Sequence, residues 1–260
     1  MQIKYDDNKD IALTIVVPTY NEKLNVRPLV SLLDKALVDI NWEVVFVDDD
    51  SPDGTADEVR ELARTRLDVR VIHRIGRRGL SGACIEGILS SAAPYVAVMD
   101  GDLQHDETVL ISMIASFNAD PELNLVIGSR NVEGGSSGNG LSGIRSFGSD
   151  MATVMARKLL KIRVQDPMSG FFMIKLESFS DVVGELQRQG FKILTDLLSA
   201  SRDGWKIKEI PFVFKERQYG QSKMDSAVTL EYFGLISSID ISFYIFSIFF
   251  FGFFFRMQQA

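Results

Sequence analysis

The feature that most constrains this chain is an alternation of short β-branched runs with amphipathic segments between residues 12 and 130. Five runs predict strands, at residues 12–17, 43–47, 69–72, 95–99 and 123–127. Four segments with helical periodicity lie between them, at about 25–38, 55–67, 80–92 and 107–118. Strands that are apolar on both faces and joined by helices are typical of a parallel sheet covered on both sides. The sequence therefore predicts an α/β domain.

Length and charge narrow the class of protein. With 260 residues, of which 46% are apolar, the chain can bury one sizeable core and carry an appendage. The net charge is −7, and because the last 28 residues hold only Asp240 and Arg256, all of this acidity belongs to residues 1–232. An acidic domain does not attract the phosphate backbone, so we do not expect nucleic acid as a partner. The single cysteine, Cys84, excludes an intrachain disulfide and a thiolate metal site.

The two ends of the chain differ in kind. Residues 1–10 are polar and lack an apolar segment, so we expect no signal peptide and a catalytic domain in the cytoplasm. The run Phe233–Phe255 contains nine of the 18 phenylalanines and one charge, Asp240. As a helix its 23 residues would reach roughly 34 Å, enough for a bilayer core of about 30 Å. Asp240 and four serines leave an interfacial helix as the alternative to a spanning one. We therefore predict a catalytic domain at 1–232 and a membrane-anchoring or interfacial helix at 233–260.

Unusual polar residues follow four of the predicted strands. They are Pro18-Thr-Tyr-Asn-Glu22, Asp48-Asp-Asp-Ser-Pro-Asp-Gly54, Asp100-Gly-Asp102 and Gly128-Ser-Arg130. Binding sites of parallel sheets lie at the carboxyl ends of the strands, so we expect these four segments to meet at one rim. No G-x-G-x-x-G follows the first strand and no G-x-x-x-x-G-K-[ST] occurs, so the dinucleotide and P-loop interpretations lack their fingerprints.

The segment after the fourth strand suggests a cation site. Residues at i, i+2 and i+4 of an extended chain point to one side, so Asp100, Asp102 and Gln104 could present three oxygens to one point. Oxygen ligands suit Mg²⁺ or Mn²⁺, which keeps several waters and also binds substrate phosphates. The alternative is a solvated strand-to-helix turn in which Asp106 caps a helix beginning near Glu107.

Six segments in order resemble the family 2 glycosyltransferases of the GT-A fold, and within them the dolichol-phosphate (polyprenol-phosphate) mannose synthases. The first three are Pro18-Thr-Tyr-Asn-Glu22, Val47-Asp-Asp-Asp-Ser-Pro-Asp-Gly-Thr55 and Met99-Asp-Gly-Asp-Leu-Gln-His105. The others are Gly128-Ser-Arg130, Asp166-Pro-Met-Ser-Gly-Phe171 and Lys215-Glu-Arg-Gln-Tyr-Gly-Gln-Ser-Lys223. The resemblance covers roughly residues 12–232. It implies a GT-A, Rossmann-like, mostly parallel sheet with helices on both faces.

The resemblance also implies roles for individual residues. Metal ligands would be Asp102 and Gln104, with Asp100 beside them. Sugar-nucleotide contacts would come from Pro18, Tyr20, Glu22, Val47, Asp49, Asp100, Gly101, Asp102, Gln104, Arg130, Lys192, Arg217 and Lys223. The acceptor phosphate would meet Arg130, Arg145 and Ser149. Catalysis would rest on Asp100, Asp102, Arg217 and Lys223. His73 and His105 are interpreted as turn or strand-edge residues and left out of the site.

The function that the resemblance implies is a metal-dependent, inverting transfer of mannose from GDP-mannose to a polyprenyl (dolichyl) phosphate at the cytoplasmic face of a membrane. A lipid monophosphate with a second pKa near 6 is already largely a dianion at neutral pH, so it needs no protein base to attack. Two alternatives stay open: a polyprenyl-phosphate glucosyltransferase using UDP-glucose, and a non-catalytic subunit that binds nucleotide sugar or lipid. A partner membrane subunit is compatible with either.

Overall fold

The computed structural model describes residues 10–136, 164–188, 193–201 and 204–215, and these form a sheet of seven strands with helices on both faces. The strands are β1 Leu13–Thr19, β2 Trp42–Asp48, β3 Val69–His73, β4 Tyr95–Val98, β5 Leu123–Ser129, β6 Phe172–Lys175 and β7 Lys206–Pro211. Their order across the sheet is β3-β2-β1-β4-β6-β5-β7. All five predicted strands are confirmed, and β6 and β7 are additional.

The direction of each strand decides which loops meet. β1 pairs in parallel with β2 and β4, β2 with β3, and β5 with β7, whereas β6 is antiparallel to both β4 and β5. Two antiparallel steps restore the direction, so β5 runs the same way as β4. The carboxyl ends of the other six strands therefore share one rim with the start of β6. The expected convergence of four strand ends is confirmed, and the segment leading into β6 joins them.

Helices cover both faces of the sheet because the strands are apolar on both. The described helices are α1 Lys23–Ala36, α2 Thr55–Ala63, α3 Leu80–Leu89, α4 Val109–Ala119, α5 Leu176–Val182, which a 3₁₀ turn at Val183–Glu185 continues, and α6 Ile193–Ala200. Along β1, Ile15 and Val17 pack into the core beneath α1, α2 and α4, while Val16 packs beneath α3, α5 and α6. This alternation of side chains is the period of two expected of a strand buried on both sides.

The run Phe233–Phe255 lies outside the described residues, as do the predicted site residues Arg145, Ser149, Lys192, Arg217 and Lys223. Within the described part of the chain, none of the helices combines the length and apolar character that a membrane span requires.

Candidate active site at the carboxyl rim of the sheet

Three of the loops at the rim contain a residue with a left-handed backbone. Asn21 follows β1 with φ 57°, Asp50 follows β2 with φ 58°, and Leu103 follows β4 with φ 64°. Residues other than glycine adopt such angles at a cost, which is smallest for Asn and Asp, and strained residues cluster at functional sites. Because β2, β1 and β4 are neighbours in the sheet, the three strained positions mark one continuous stretch of the rim.

Asp49 lies at the end of β2 and is held by two donors. Its Oδ1 accepts a hydrogen bond from Nη1 of Arg74 at 2.5 Å, and its Oδ2 accepts one from the backbone N–H of Gly79 at 2.7 Å. Both partners belong to the loop between β3 and α3, so this carboxylate fixes that loop against the end of β2. Burial raises the pKa of Asp49, and the Gly79 amide and Arg74 offset part of that effect.

Arg74, which lies at the rim beside β2 and β3, was not predicted from the sequence as a site residue. Its side chain is only 5% exposed, and it binds the carbonyl of Gly79 and Glu86 of α3 as well as Asp49. Glu86 also accepts a hydrogen bond from the exposed Arg77. The position of Arg74, directly after the third predicted strand, was the available signal, because that strand ends at the same rim.

The remaining predicted nucleoside residues lie around Asp49. The ring of Tyr20 stacks under the guanidinium of Arg78, 4.5 Å from the ring centre, which joins the loops after β1 and β3. Glu22 is buried and accepts a hydrogen bond from Asn25. Pro18 is within β1 at the rim end of that strand. Val47, by contrast, is wholly buried in the core, so only its backbone could reach a ligand.

Neighbouring carboxylates in the same loop have structural partners. Asp48 is completely buried and accepts hydrogen bonds from the side chains of Thr19 and Ser51. Asp53 accepts hydrogen bonds from the backbone and hydroxyl groups of Thr55, the first residue of α2. Asp53 and Gly54 thus belong to the turn that leads into α2.

The segment after β4 is a turn and is not extended. β4 ends at Val98, Gly101 and Asp102 lie in a turn, and Leu103 is left-handed. The prediction that Asp100, Asp102 and Gln104 alternate along an extended strand was therefore wrong, although the segment does lie at the rim. The turn has its own geometry: Oδ1 of Asp102 accepts the backbone N–H of Gln104 at 3.2 Å.

Asp100, Gly101, Asp102 and Gln104 nevertheless lie within this one turn at the rim. Asp102 is 6% and Gln104 7% exposed, whereas the side chain of Asp100 is 39% exposed. The amide nitrogen of Gln104 donates to the carbonyl of Lys215 at 3.0 Å, so its oxygen Oε1 is the end of this amide suited to a cation. Among the described residues, no group of three or more His, Cys, Asp and Glu side chains is arranged to hold a metal ion.

Asp106 has a structural role. Its Oδ1 accepts hydrogen bonds from the backbone and hydroxyl groups of Thr108, ahead of α4, which begins at Val109. The helix thus begins two residues later than Glu107, the predicted start, because Asp106 and Thr108 form a turn first.

His105, which the sequence analysis set aside, lies directly behind the turn. It is 3% exposed, and its ring stacks on Phe171 with centroids 4.9 Å apart. The backbone N–H of Asp100 donates to Nδ1 of His105 at 3.1 Å. Burial lowers the pKa of His105 to about 4, so the ring is neutral at pH 7. A neutral ring whose Nδ1 accepts has its proton on Nε2.

Arg130 follows β5 and pairs with Asp166. Its Nε and Nη2 donate to the two oxygens of Asp166 at 2.8 and 2.9 Å, a bidentate arrangement, and Asp166 is fully buried. The backbone N–H of Asp166 in turn donates to Glu209 of β7. A phosphate near Arg130 would therefore meet a guanidinium whose charge is already shared with a carboxylate, and its predicted phosphate contact stays a prediction.

Comparisons with known proteins come from sequence and from structure. The model of glycosyl transferase family 2 matches residues 14–183. The dolichol-phosphate mannosyltransferase of Pyrococcus furiosus is 39% identical over 222 residues, 85% of this chain and 61% of that protein. The protein of the same name from Mycosarcoma maydis is 36% identical over 226 residues, 84% of this chain and 76% of the relative. The one from Saccharomyces cerevisiae is 34% identical over 230 residues, 85% of this chain and 84% of the relative. The matched segment thus spans less than two thirds of the Pyrococcus furiosus protein.

Among solved structures, glucosyl-3-phosphoglycerate synthase from Mycobacterium tuberculosis in complex with uridine diphosphate has a similar fold. The TM-score is 0.66 at 17% identity, with 88% of this chain and 79% of that chain covered. The same enzyme with Mn²⁺, UDP-glucose and phosphoglyceric acid superposes with the same score. At this identity the likeness concerns the fold, which is the GT-A-like arrangement described above.

Proposed function

The chain belongs to glycosyl transferase family 2, and from that premise we propose that it transfers mannose from GDP-mannose to the phosphate of a polyprenyl (dolichyl) lipid, with inversion at the anomeric carbon. The observation that carries the proposal is the similarity to three dolichol-phosphate mannosyltransferases over 84% or more of this chain. The rim supports it, because acids, an aromatic residue and arginines converge there as a nucleotide sugar requires.

A divalent cation fits the turn after β4. Carboxylate and amide oxygens are the donors that Mg²⁺ and Mn²⁺ prefer, and they leave places for water and diphosphate. Asp102 and Gln104 would hold the ion, with Asp100 beside them; His105 would not, because Nδ1 accepts the amide of Asp100. When bound, such a cation withdraws charge from the β-phosphate and so improves the leaving group.

The chain's own residues bind and orient the donor in this proposal. Asp49, fixed by Arg74 and Gly79, would accept hydrogen bonds from the nucleoside, and Tyr20 and Glu22 would lie beside it. In this proposal the nucleoside would lie over β1 and β2 and the diphosphate over β4.

The acceptor supplies its own nucleophile. A phosphate oxygen of the lipid attacks the anomeric carbon, the new carbon–oxygen bond forms, and the bond to the nucleoside diphosphate breaks with its electrons on the departing oxygen. Because a phosphate monoester is already largely dianionic at pH 7, no side chain has to remove a proton. The main task of the protein is to hold two anions together, for which fixed guanidinium groups are suited.

Several proposed phosphate contacts belong to residues outside the described part of the chain. We assign Arg217 and Lys223 to the diphosphate, Lys192 to the donor, and Arg145 and Ser149 to the acceptor phosphate, on the family's motifs alone. Lys215, two residues before Arg217, donates its backbone N–H to the carbonyl of Gln104 at 2.8 Å, so Lys215 lies against the turn of residues 100–105, here called the metal turn.

We also propose that the apolar run Phe233–Phe255 keeps the catalytic domain, residues 1–232, at the cytoplasmic face of a membrane, as a spanning or an interfacial helix, alone or with a partner membrane subunit. A chain ending at Tyr232 should keep sugar-nucleotide binding and lose sedimentation with polyprenyl-phosphate vesicles. Vesicle binding that survives the deletion would contradict this assignment.

One transfer assay tests the function. The purified protein is given GDP-mannose or UDP-glucose, each with polyprenyl phosphate and Mn²⁺, and the lipid fraction is analysed for sugar. We expect mannose from GDP-mannose in that fraction and loss of transfer with a chelator. Glucose from UDP-glucose would indicate a glucosyltransferase, and binding of either donor without transfer would indicate a non-catalytic subunit.

A further inference from the structure

We propose that His105 is a positioning residue that holds Asp100 in place from behind the metal turn. The inference rests on the proposed function insofar as Asp100 serves a cation, but the contacts that carry it are properties of the fold. Its role would be to fix the backbone and the carboxylate of Asp100 at once.

The imidazole touches Asp100 at two points. Nδ1 accepts the backbone N–H of Asp100 at 3.1 Å, and Nε2 lies 3.6 Å from Oδ2 of the same residue. The second distance is too long for a direct hydrogen bond, but the N–H dipole on Nε2 favours a carboxylate at that place. The imidazole thus fixes the backbone at the start of the turn after β4 and attracts the carboxylate of Asp100.

The ring cannot easily move. Phe171 stacks on it with an angle of 11° between the planes, and the ring centroids of Phe212 and Phe214 lie 5.5 and 5.7 Å from its own in edge-on arrangements. Phe171 precedes β6, while Phe212 and Phe214 follow β7, so two other segments clamp this side chain. We call His105 with these three phenylalanines the aromatic clamp.

The clamp also brings a chain segment close to the carboxylate of Asp100. A Cβ added to Gly170 would lie 3.0 Å from Oδ2 and 3.3 Å from Oδ1 of Asp100, closer than an ordinary contact. A side chain at residue 170 would therefore require the carboxylate of Asp100 to shift by a few tenths of an ångström. Gly170 thus packs closely against this carboxylate and limits the positions that it can take.

Second-layer partners of metal ligands typically change affinity by about 10- to 100-fold when they are removed. We expect His105→Phe, which keeps an aromatic ring against Phe171 but has no acceptor, to weaken Mn²⁺ binding in the presence of GDP by about tenfold or more. His105→Asn places an acceptor near the position of Nδ1 and should recover most of the affinity. GDP binding in chelator should be the same in all three proteins.

Hydrogen exchange of the Asp100 amide supplies a measurement that needs neither metal nor activity. We expect this amide to exchange faster in His105→Phe than in the wild type and at a near-native rate in His105→Asn. The matched control is His73→Phe, since His73 hydrogen-bonds Asp50 and Arg60 and has no contact of this kind with Asp100. It should change neither quantity at the metal turn.

Two results would overturn the proposal. Unchanged exchange and unchanged Mn²⁺ affinity in His105→Phe would show that the ring holds nothing, and equal losses in the Phe and Asn variants would show that only ring packing matters. If the wild type binds no Mn²⁺, the metal part of the proposed function fails, and exchange of the Asp100 amide still decides the role of His105.

Discussion

The two halves of the rim hold their acids by different means. Over β2 and β3, Asp49 forms an ion pair with the buried Arg74, which also forms one with Glu86. Over β4 and β6, the carboxylate of Asp102 accepts the backbone N–H of Gln104, and the backbone N–H of Asp100 donates to the neutral imidazole of His105. In this second half the ion pair Arg130–Asp166 lies at the end of β5.

In the proposed function the two halves would have different tasks. A carboxylate bound by a guanidinium is fixed in place and partly neutralised, which would suit hydrogen bonds to a nucleoside whose charge does not change during transfer. A turn fixed by backbone hydrogen bonds would suit the binding of a cation beside a leaving group that gains charge. The first half should therefore act on binding and stability, and the second on turnover.

The largest effect should follow from breaking the buried pair in the first half. Arg74→Ala leaves Asp49 buried without its main cation, and we expect the free energy of unfolding to fall by about 3–5 kcal/mol, measured by denaturant titration. Arg77→Ala is the matched control, since Arg77 binds the same Glu86 but is 56% exposed. It should change stability by less than about 1 kcal/mol. Equal losses in both variants would place the effect in Glu86.

Arg130 tests whether the second half also depends on an ion pair. Arg130→Ala removes the bidentate partner of the fully buried Asp166, and we expect a loss of about 3 kcal/mol in denaturant titration. Native stability together with a large loss of transfer would instead give Arg130 the phosphate contact that the family's motifs predict.

Turnover should be most sensitive to the charge in the metal turn. Asp102→Asn keeps an acceptor for the backbone N–H of Gln104 and removes the negative charge, so the turn should persist. We expect the turnover number to fall by about 100-fold or more, the scale of one lost charge-stabilising group, with an unchanged melting temperature. The double change with Asp100→Asn should be little worse, because both residues serve one ion. A loss of the melting transition would make Asp102 structural.

Asp49→Asn should show the opposite kinetic pattern. The amide oxygen can still accept from Arg74, but hydrogen bonds from a nucleoside to a charged acceptor are lost, each worth about 1.5–3 kcal/mol. We expect the Michaelis constant for the donor to rise about tenfold or more while turnover at saturation changes little. A fall in turnover at saturating donor would erase the distinction between the two halves.

The smallest effect concerns acids at the rim that serve the fold alone. Asp53 accepts hydrogen bonds from Thr55 at the start of α2 and from the backbone N–H of Lys23 at the start of α1, so Asp53→Ala should cost about 1 kcal/mol in denaturant titration and leave transfer kinetics unchanged. A clear change in the Michaelis constant would move Asp53 into the nucleoside site.

Much of the fold was predictable because its signals are local. Five strands and four helices followed from apolar periodicity, and the parallel sheet followed from strands that are apolar on both faces. β6 was not predicted, and its antiparallel direction depends on pairing with β4 and β5, which no local pattern records. The end of β4 was misjudged for a related reason, since the left-handed Leu103 is held by its surroundings against its own preference.

By itself the sequence determined the edge of the sheet at which the candidate site lies. The strand ends of a parallel sheet share a rim, so acids that follow those strands lie close together there. Only the tertiary structure decided which of those acids are engaged by the fold. Asp48, Asp53 and Asp106 have hydrogen-bond partners that fix loops and helix starts. Asp49 is held by Arg74 and Gly79, and Asp102 accepts the backbone N–H of Gln104, so these two proposed ligand residues also have partners within the fold. Arg74 and His105 acquire their roles from contacts 25 and five residues away in sequence, in directions set by sheet order and packing. Side-chain partners depend on distances in three dimensions, and residue spacing along the chain does not contain them.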